Sequence, residues 1–168
     1  MSDVTNEPRV DRPYMPSYGI AAADEGRGLL SWAWVVEHLT AAHDYWLATT
    51  SPDGRAHVMP VWGTCLDGAI WFSTSLQSRK WKNLARDPRC TATSDDAYRP
   101  VIVEGIAVAH RDEPSIRRFL DALNTKYDGS LGMDFLDPDV NATIRIEATT
   151  VFALDEDDFT GTPTRFRF

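Results

Sequence analysis

The stretch Tyr45-Trp46-Leu47-Ala48-Thr49-Thr50-Ser51-Pro52-Asp53-Gly54 decides the fold. Its first six residues are rich in aromatic and β-favouring types, and Ser51-Pro52-Asp53-Gly54 carries the chemistry of a tight turn. The run after the turn, Arg55 to Leu66, alternates His57, Met59, Val61 and Gly63 against Val58, Pro60, Trp62 and Thr64, the period of a strand. Pro60 has no N–H to give a central ladder, so this strand lies at an edge or is bulged at the proline. Asp67-Gly68 makes the next hairpin turn and Ala69 to Thr74 a third strand. Three strands joined by tight turns form an antiparallel meander.

Working outward, Arg89 to Ser94, Val101 to Ala109 and Asn141 to Leu154 read as further strands, with Gly105 a bend or bulge. Three helices are expected. Leu29 to Ala42 has one apolar face with Ser31 as an interior polar residue, Ser78 to Asp87 is capped by Ser78, and a third begins at Asp112-Glu113-Pro114. Asp128 to Asp139 reads as a surface loop. About six strands grouped as hairpins, rather than alternating with helices, predict a mainly β protein: a closed or nearly closed antiparallel barrel with peripheral helices. Residues 1–23, with Pro8, Pro13 and Pro16, are expected to be an irregular arm, and 24–168 one barrel domain with a C-terminal tail. The tail, Thr164-Arg165-Phe166-Arg167-Phe168, alternates cations and aromatics and is expected to dock on its own barrel or on a second subunit.

The chain has 168 residues, a formal net charge of −8 and a pI near 4.9, which disfavours a general nucleic-acid role. Cys65 and Cys90 sit in apolar runs without metal-ligand spacing and read as buried free thiols. The polar N-terminus and the lack of a membrane-length apolar run predict a cytoplasmic protein. His38 and His43 are read as helix-surface residues.

One local feature carries a function. Ser78-Arg79-Lys80 places two cations in the first turn of a helix, where free backbone N–H groups already make the end positive. A bound anion, a phosphate above all, offsets that repulsion; a solvated helix with ordinary surface cations is the alternative. No Gly-x-Gly-x-x-Gly run, Walker A sequence, His-Glu-x-x-His pair or nucleophile elbow accompanies it.

The Tyr45 to Gly63 stretch resembles the start of the pyridoxamine 5′-phosphate oxidase-like split barrels. Phe72-Ser73-Thr74, Ser78-Arg79-Lys80, Asn83-Leu84 and Asp87-Pro88 extend the likeness, which is greatest to the flavin/deazaflavin branch that binds coenzyme F420 or FMN. The resemblance implies a homodimer of split β-barrels with a cofactor groove at each end of its interface. It implies that Ser78, Arg79 and Lys80 bind the cofactor phosphate with Asn83 nearby, and that Ser73 and Thr74 add hydroxyls. It places His57, Met59, Pro60, Val61 and Trp62 beside the ring, and brings Arg165 from the partner subunit. Many members carry tryptophan where this chain has Phe166. The ring supplies the redox chemistry, so no catalytic side chain is assigned; His57, Tyr45 or water are the candidate proton donors. The expectation is an oxidoreductase passing hydride between F420, or FMN, and a small conjugated or unsaturated substrate. Pyridoxamine phosphate itself fits less well, since no basic residues for a substrate phosphate are recognisable. The alternative is a flavin-, F420- or haem-binding protein that sequesters without turnover.

Overall fold

A computed structural model describes residues 8–22, 24–25 and 27–168. In chain order the strands are β1 (Arg9–Asp11), β2 (Tyr45–Thr50), β3 (Ala56–Val61), β4 (Gly63–Leu66), β5 (Ala69–Ser75), β6 (Arg89–Ser94), β7 (Val101–His110), β8 (Asn141–Ala153) and β9 (Thr164–Arg167). The helices are α1 (Trp32–Ala41), α2 (Arg79–Arg86) and α3 (Glu113–Lys126).

β2 and β3 form the hairpin expected from the turn chemistry, in unbroken register from Tyr45↔Val61 to Thr50↔Ala56. Gly54 closes the turn at φ +81°, a conformation that glycine adopts without a steric penalty. The expected Arg55–Leu66 strand divides at Trp62: β3 pairs with β2, whereas β4 pairs with β5. Pro60 sits opposite Trp46 with no register shift, so the bulge expected as one option there is absent and the edge position accommodates the proline. The bulge falls instead between Glu104 and Gly105, where a Cβ on Gly105 would lie 2.3 Å from the Glu147 carbonyl oxygen.

The ladders run β1-β9-β8-β7-β6-β2-β3, and β8 also pairs with β5. Since β3 continues into β4 through Trp62, the strands β2, β3/β4, β5, β8, β7 and β6 close a barrel split at that corner. Its interior is filled by Tyr45, Leu47, Ile70, Phe72, Val103, Ile144, Ile146, Val151 and Phe166, joined by Val35 and Leu39 of α1. A second apolar layer lies outside, where Ile116, Phe119, Leu120 and Leu123 of α3 cover Ala69 and Trp71 of β5. Each fully buried side chain of this size contributes about 1.5–3 kcal/mol relative to exposure.

Three further expectations are corrected. Ser31 is the N-cap of α1, its Oγ accepting the Trp34 N–H at 3.1 Å, rather than an interior helical residue. The arm is not irregular throughout: β1 pairs with β9, while residues 1–7 and 23 lie outside the described residues. The Asp128–Asp139 segment contains a one-turn 3-10 helix, Met133–Leu136, that plugs fully buried Leu136 into the α3 layer. The tail docks on its own barrel as β9, with Phe166 buried and edge-on to Trp32 at 5.3 Å.

Candidate functional site

α2 begins where β5 ends. Ser78 Oγ accepts the Trp81 N–H at 3.1 Å, capping the helix, and shares a 2.9 Å hydrogen bond with Thr74 Oγ1 at the end of β5. The capping geometry leaves the Arg79 and Lys80 backbone N–H groups at the open end of the helix. Arg79 Nη2 donates to the buried Ser51 Oγ at 3.1 Å, so the β2–β3 turn steers the guanidinium. Asn83 is buried, and its Nδ2 donates to Thr49 Oγ1 at 3.0 Å, seating α2 on β2. Among the described residues no carboxylate forms an ion pair with Arg79 or Lys80; Asp53 is held below the usual carboxylate range chiefly by Arg55, with Arg79 a lesser contributor.

Beside this helix end lies a cavity of about 420 Å³, lined by Trp62, Ser73, Thr74, Ser75, Leu123, Asp134, Phe135 and Asn141. Thr74 is thus shared between the cavity and the capped start of α2. Trp62 is rigidly backed: its ring stacks on Tyr127 at 5.1 Å and 19°. The Tyr127 hydroxyl accepts the Gly63 N–H at 3.1 Å and donates to the His43 carbonyl at 2.7 Å, while Lys126 Nζ donates to the Gly63 carbonyl at 2.7 Å. Both backbone groups of the corner glycine are therefore held by the C-terminal end of α3. Burial pushes the Lys126 ammonium down and the Tyr127 hydroxyl up to about 12, so Tyr127 stays protonated near neutrality.

None of the remaining sequence-derived residues, His57, Met59, Pro60, Val61 and Arg165, lines this cavity. His57 and Met59 sit on the edge strand β3 on the same face as Val61; Val61 is buried, while Met59 is 42% exposed and His57 Nδ1 is buried without a partner among the described residues. One side of the β3 backbone is unpaired, as at any sheet edge. Arg165 lies on β9, ion-paired with Asp11 at 2.9 Å, and is not gathered with Ser78 within this chain. Tyr45 is removed as a proton donor: it is fully buried and its hydroxyl donates to the Leu39 carbonyl at 2.6 Å. Burial also raises the Cys65 thiol and takes the Cys90 thiol to about 12. Phe135, Asn141, Leu123 and the Lys126–Tyr127 pair escape sequence reading, because nothing near them in the chain marks them; only the fold brings them to the corner.

Such a molecule, an antiparallel barrel split at a strand corner with a cation-bearing helix end seated between the β2–β3 turn and the end of β5, belongs to the split-barrel class. The family model described as pyridoxamine 5′-phosphate oxidase matches residues 34–155, and the chain belongs to that family. No curated protein matches it. Among solved structures, the conserved hypothetical protein Rv2991 from Mycobacterium tuberculosis is similar at 27% identity with a TM-score of 0.67, over 76% of this chain and 86% of that one. A protein titled F420 Reductase has 24% identity and a TM-score of 0.56, over 68% and 93%. General Stress Protein 26 from Bacillus anthracis str. Sterne has 19% identity and a TM-score of 0.64, over 82% and 98%. These last two show likeness of fold.

Proposed function

We propose that the protein is an oxidoreductase that moves hydride between bound coenzyme F420, or FMN, and a small conjugated substrate. The observation that carries the reading is the Thr74–Ser78 hydrogen bond, which joins the start of α2, with Arg79 and Lys80, to the Trp62 cavity. A phosphorylated, ring-bearing cofactor needs that combination: an anion clamp, a flat apolar wall and amide-like partners for the ring edge. Arg79, Lys80 and their N–H groups bind the phosphate, and Ser78 and Thr74 orient it. The unpaired backbone of His57 to Val61 faces the ring edge, and Trp62 forms the wall. The bound cofactor supplies the hydride chemistry; the chain binds, orients and excludes water. The similarity to a structure named F420 Reductase supports F420 as first choice.

The reading includes a homodimer. Residues paired directly across the outer sheet face, Pro60–Trp46–Thr93–Ile102–Phe152, form a mostly apolar row over five strands that ends at Arg165. Trp46 is 47% exposed in that row.

The test is titration of the purified protein with F420, FMN and haem separately, followed by quenching of tryptophan fluorescence. Quenching by F420 is expected. Tight FMN binding without F420 affinity changes the cofactor, haem binding alone favours sequestration, and binding of none of the three removes the reading. Oxidation of the reduced, bound cofactor by a panel of quinones and enones then establishes turnover.

A further inference from the structure

Beside Ser73, three strands place polar residues in one row. Ser73 of β5 pairs with Thr143 of β8, and Thr143 pairs with His110 of β7. Directly opposed side chains share a face, with Cβ atoms about 4.5–5.5 Å apart. The His110 ring reaches over β8 to lie 4.7 Å from the Trp71 ring of β5, which roofs Thr143 and leaves it 1% exposed. Beneath α3, Trp71 Nε1, Thr143 Oγ1 and His110 Nε2 are all buried without a partner among the described residues. Buried polar atoms in folded proteins are almost always satisfied, by water where protein is lacking.

Their donor and acceptor roles match one water molecule. Trp71 Nε1–H only donates. Asp112 Oδ2 lies 3.6 Å from His110 Nδ1, while its Oδ1 accepts the Ser115 N–H at 3.0 Å, which fixes the carboxylate. A carboxylate 3.6 Å from Nδ1 favours the tautomer with the proton on Nδ1, which leaves the Nε2 lone pair free to accept. A water that accepts from Trp71 can donate to both His110 Nε2 and Thr143 Oγ1.

We propose that this seam holds an ordered water and relays protons between the Asp112–His110 pair and Ser73 in the cavity wall; the relay rests on the hydride-transfer reading above. A proton released in the cavity goes to Ser73 Oγ, whose own proton passes to the water, and a water proton passes to His110 Nε2. The imidazolium so formed is balanced by the Asp112 carboxylate, and delivery to a reduced substrate runs through the same atoms in reverse.

A near-atomic-resolution crystal structure of the full chain tests the seam. A water within about 3.2 Å of Trp71 Nε1, Thr143 Oγ1 and His110 Nε2 is expected, and its loss in Thr143→Val. A dry seam overturns the proposal. Nitrogen-15 NMR of the neutral His110 ring should find the proton on Nδ1; a proton on Nε2 overturns it as well. Saturation with F420 or FMN should shift the His110 ring nitrogens in the native protein, and that shift should vanish in Thr143→Val while cofactor affinity is kept. Equal shifts in both proteins exclude the conduit. Failure of both cofactors to bind removes the hydride-transfer reading and the relay with it, while the water and tautomer measurements still decide the seam.

Discussion

Arg79 and Lys80 stand together at the start of α2 but are held differently. Arg79 is tied to Ser51, whereas Lys80 is half-buried. Each charge-assisted bond to a phosphate contributes about 1.5–3 kcal/mol, so Arg79→Ala and Lys80→Ala should each weaken cofactor binding by that amount in fluorescence titration. Arg79→Ala should also lower the melting temperature slightly by loosening the β2–β3 turn; Lys80→Ala should not. Unchanged affinity in both variants would move the phosphate elsewhere. At this scale the cap was legible because its chemistry is local: a hydroxyl, two cations and a proline fall within one short stretch. His110 and Thr143 were not legible. Their partners come from strands far apart in the chain, and only register brings them side by side.

The Trp62 corner belongs to the scale of elements. Alternation of side chains continues from Arg55 to Leu66, so the pattern describes one strand, and it is silent on a change of partner. That change is imposed from 63 and 64 residues away, by Lys126 and Tyr127 on the Gly63 backbone. Tyr127→Phe leaves the Gly63 N–H without its acceptor and should cost about 1–3 kcal/mol in urea unfolding. Gly63→Ala drives a Cβ to 2.4 Å from the Trp71 carbonyl oxygen, and overpacking of that kind costs about 1–3 kcal/mol. Both variants should weaken ring binding more than phosphate binding, which a comparison of the intact cofactor with inorganic phosphate separates. Stability lost with ring affinity intact would disconnect the corner from the site. The bulge at Gly105, by contrast, was legible, because an interior strand glycine signals close backbone approach without reference to any partner.

For the whole molecule, the described N-terminal segment and the tail clasp each other: Asp11 of β1 pairs with Arg165 and Arg167 of β9. The docking of the tail was legible in its alternating cations and aromatics, but its partner β1 was not, since a three-residue strand has too little pattern to read. The hydrogen bond from Arg165 is the largest cause holding the Asp11 carboxyl below its ordinary 3.8. A depressed carboxylate stabilises the fold above its unfolded pKa, and the contribution is lost as pH falls through the folded value. Asp11→Asn should therefore melt below the native protein at neutral pH, with the difference closing below pH 3.8. A difference that persists unchanged in acid would assign the effect to packing instead of charge.

The clasp also leaves β9 at one end of the apolar row that starts at Pro60, so the same sheet face runs from the edge strand β3 to Arg165. If two copies bury that face against each other, the edge strand of each lies at their seam, and the groove beside it gains a second wall. A stable interface of this kind covers about 800 Å² per partner, more than one exposed tryptophan supplies, so the whole row must take part. Sedimentation at micromolar concentration should give a dimer. Trp46→Glu combined with Ile102→Glu should give a monomer with native circular dichroism, because both side chains lie on the outer face and neither belongs to the buried core. That monomer should bind F420 or FMN at least tenfold more weakly, about 1.4 kcal/mol, if the second wall contributes to the groove. A monomeric native protein would remove the dimer, and a dimer untouched by the double substitution would place the interface elsewhere; undiminished cofactor affinity in the monomer would make each barrel a complete site on its own.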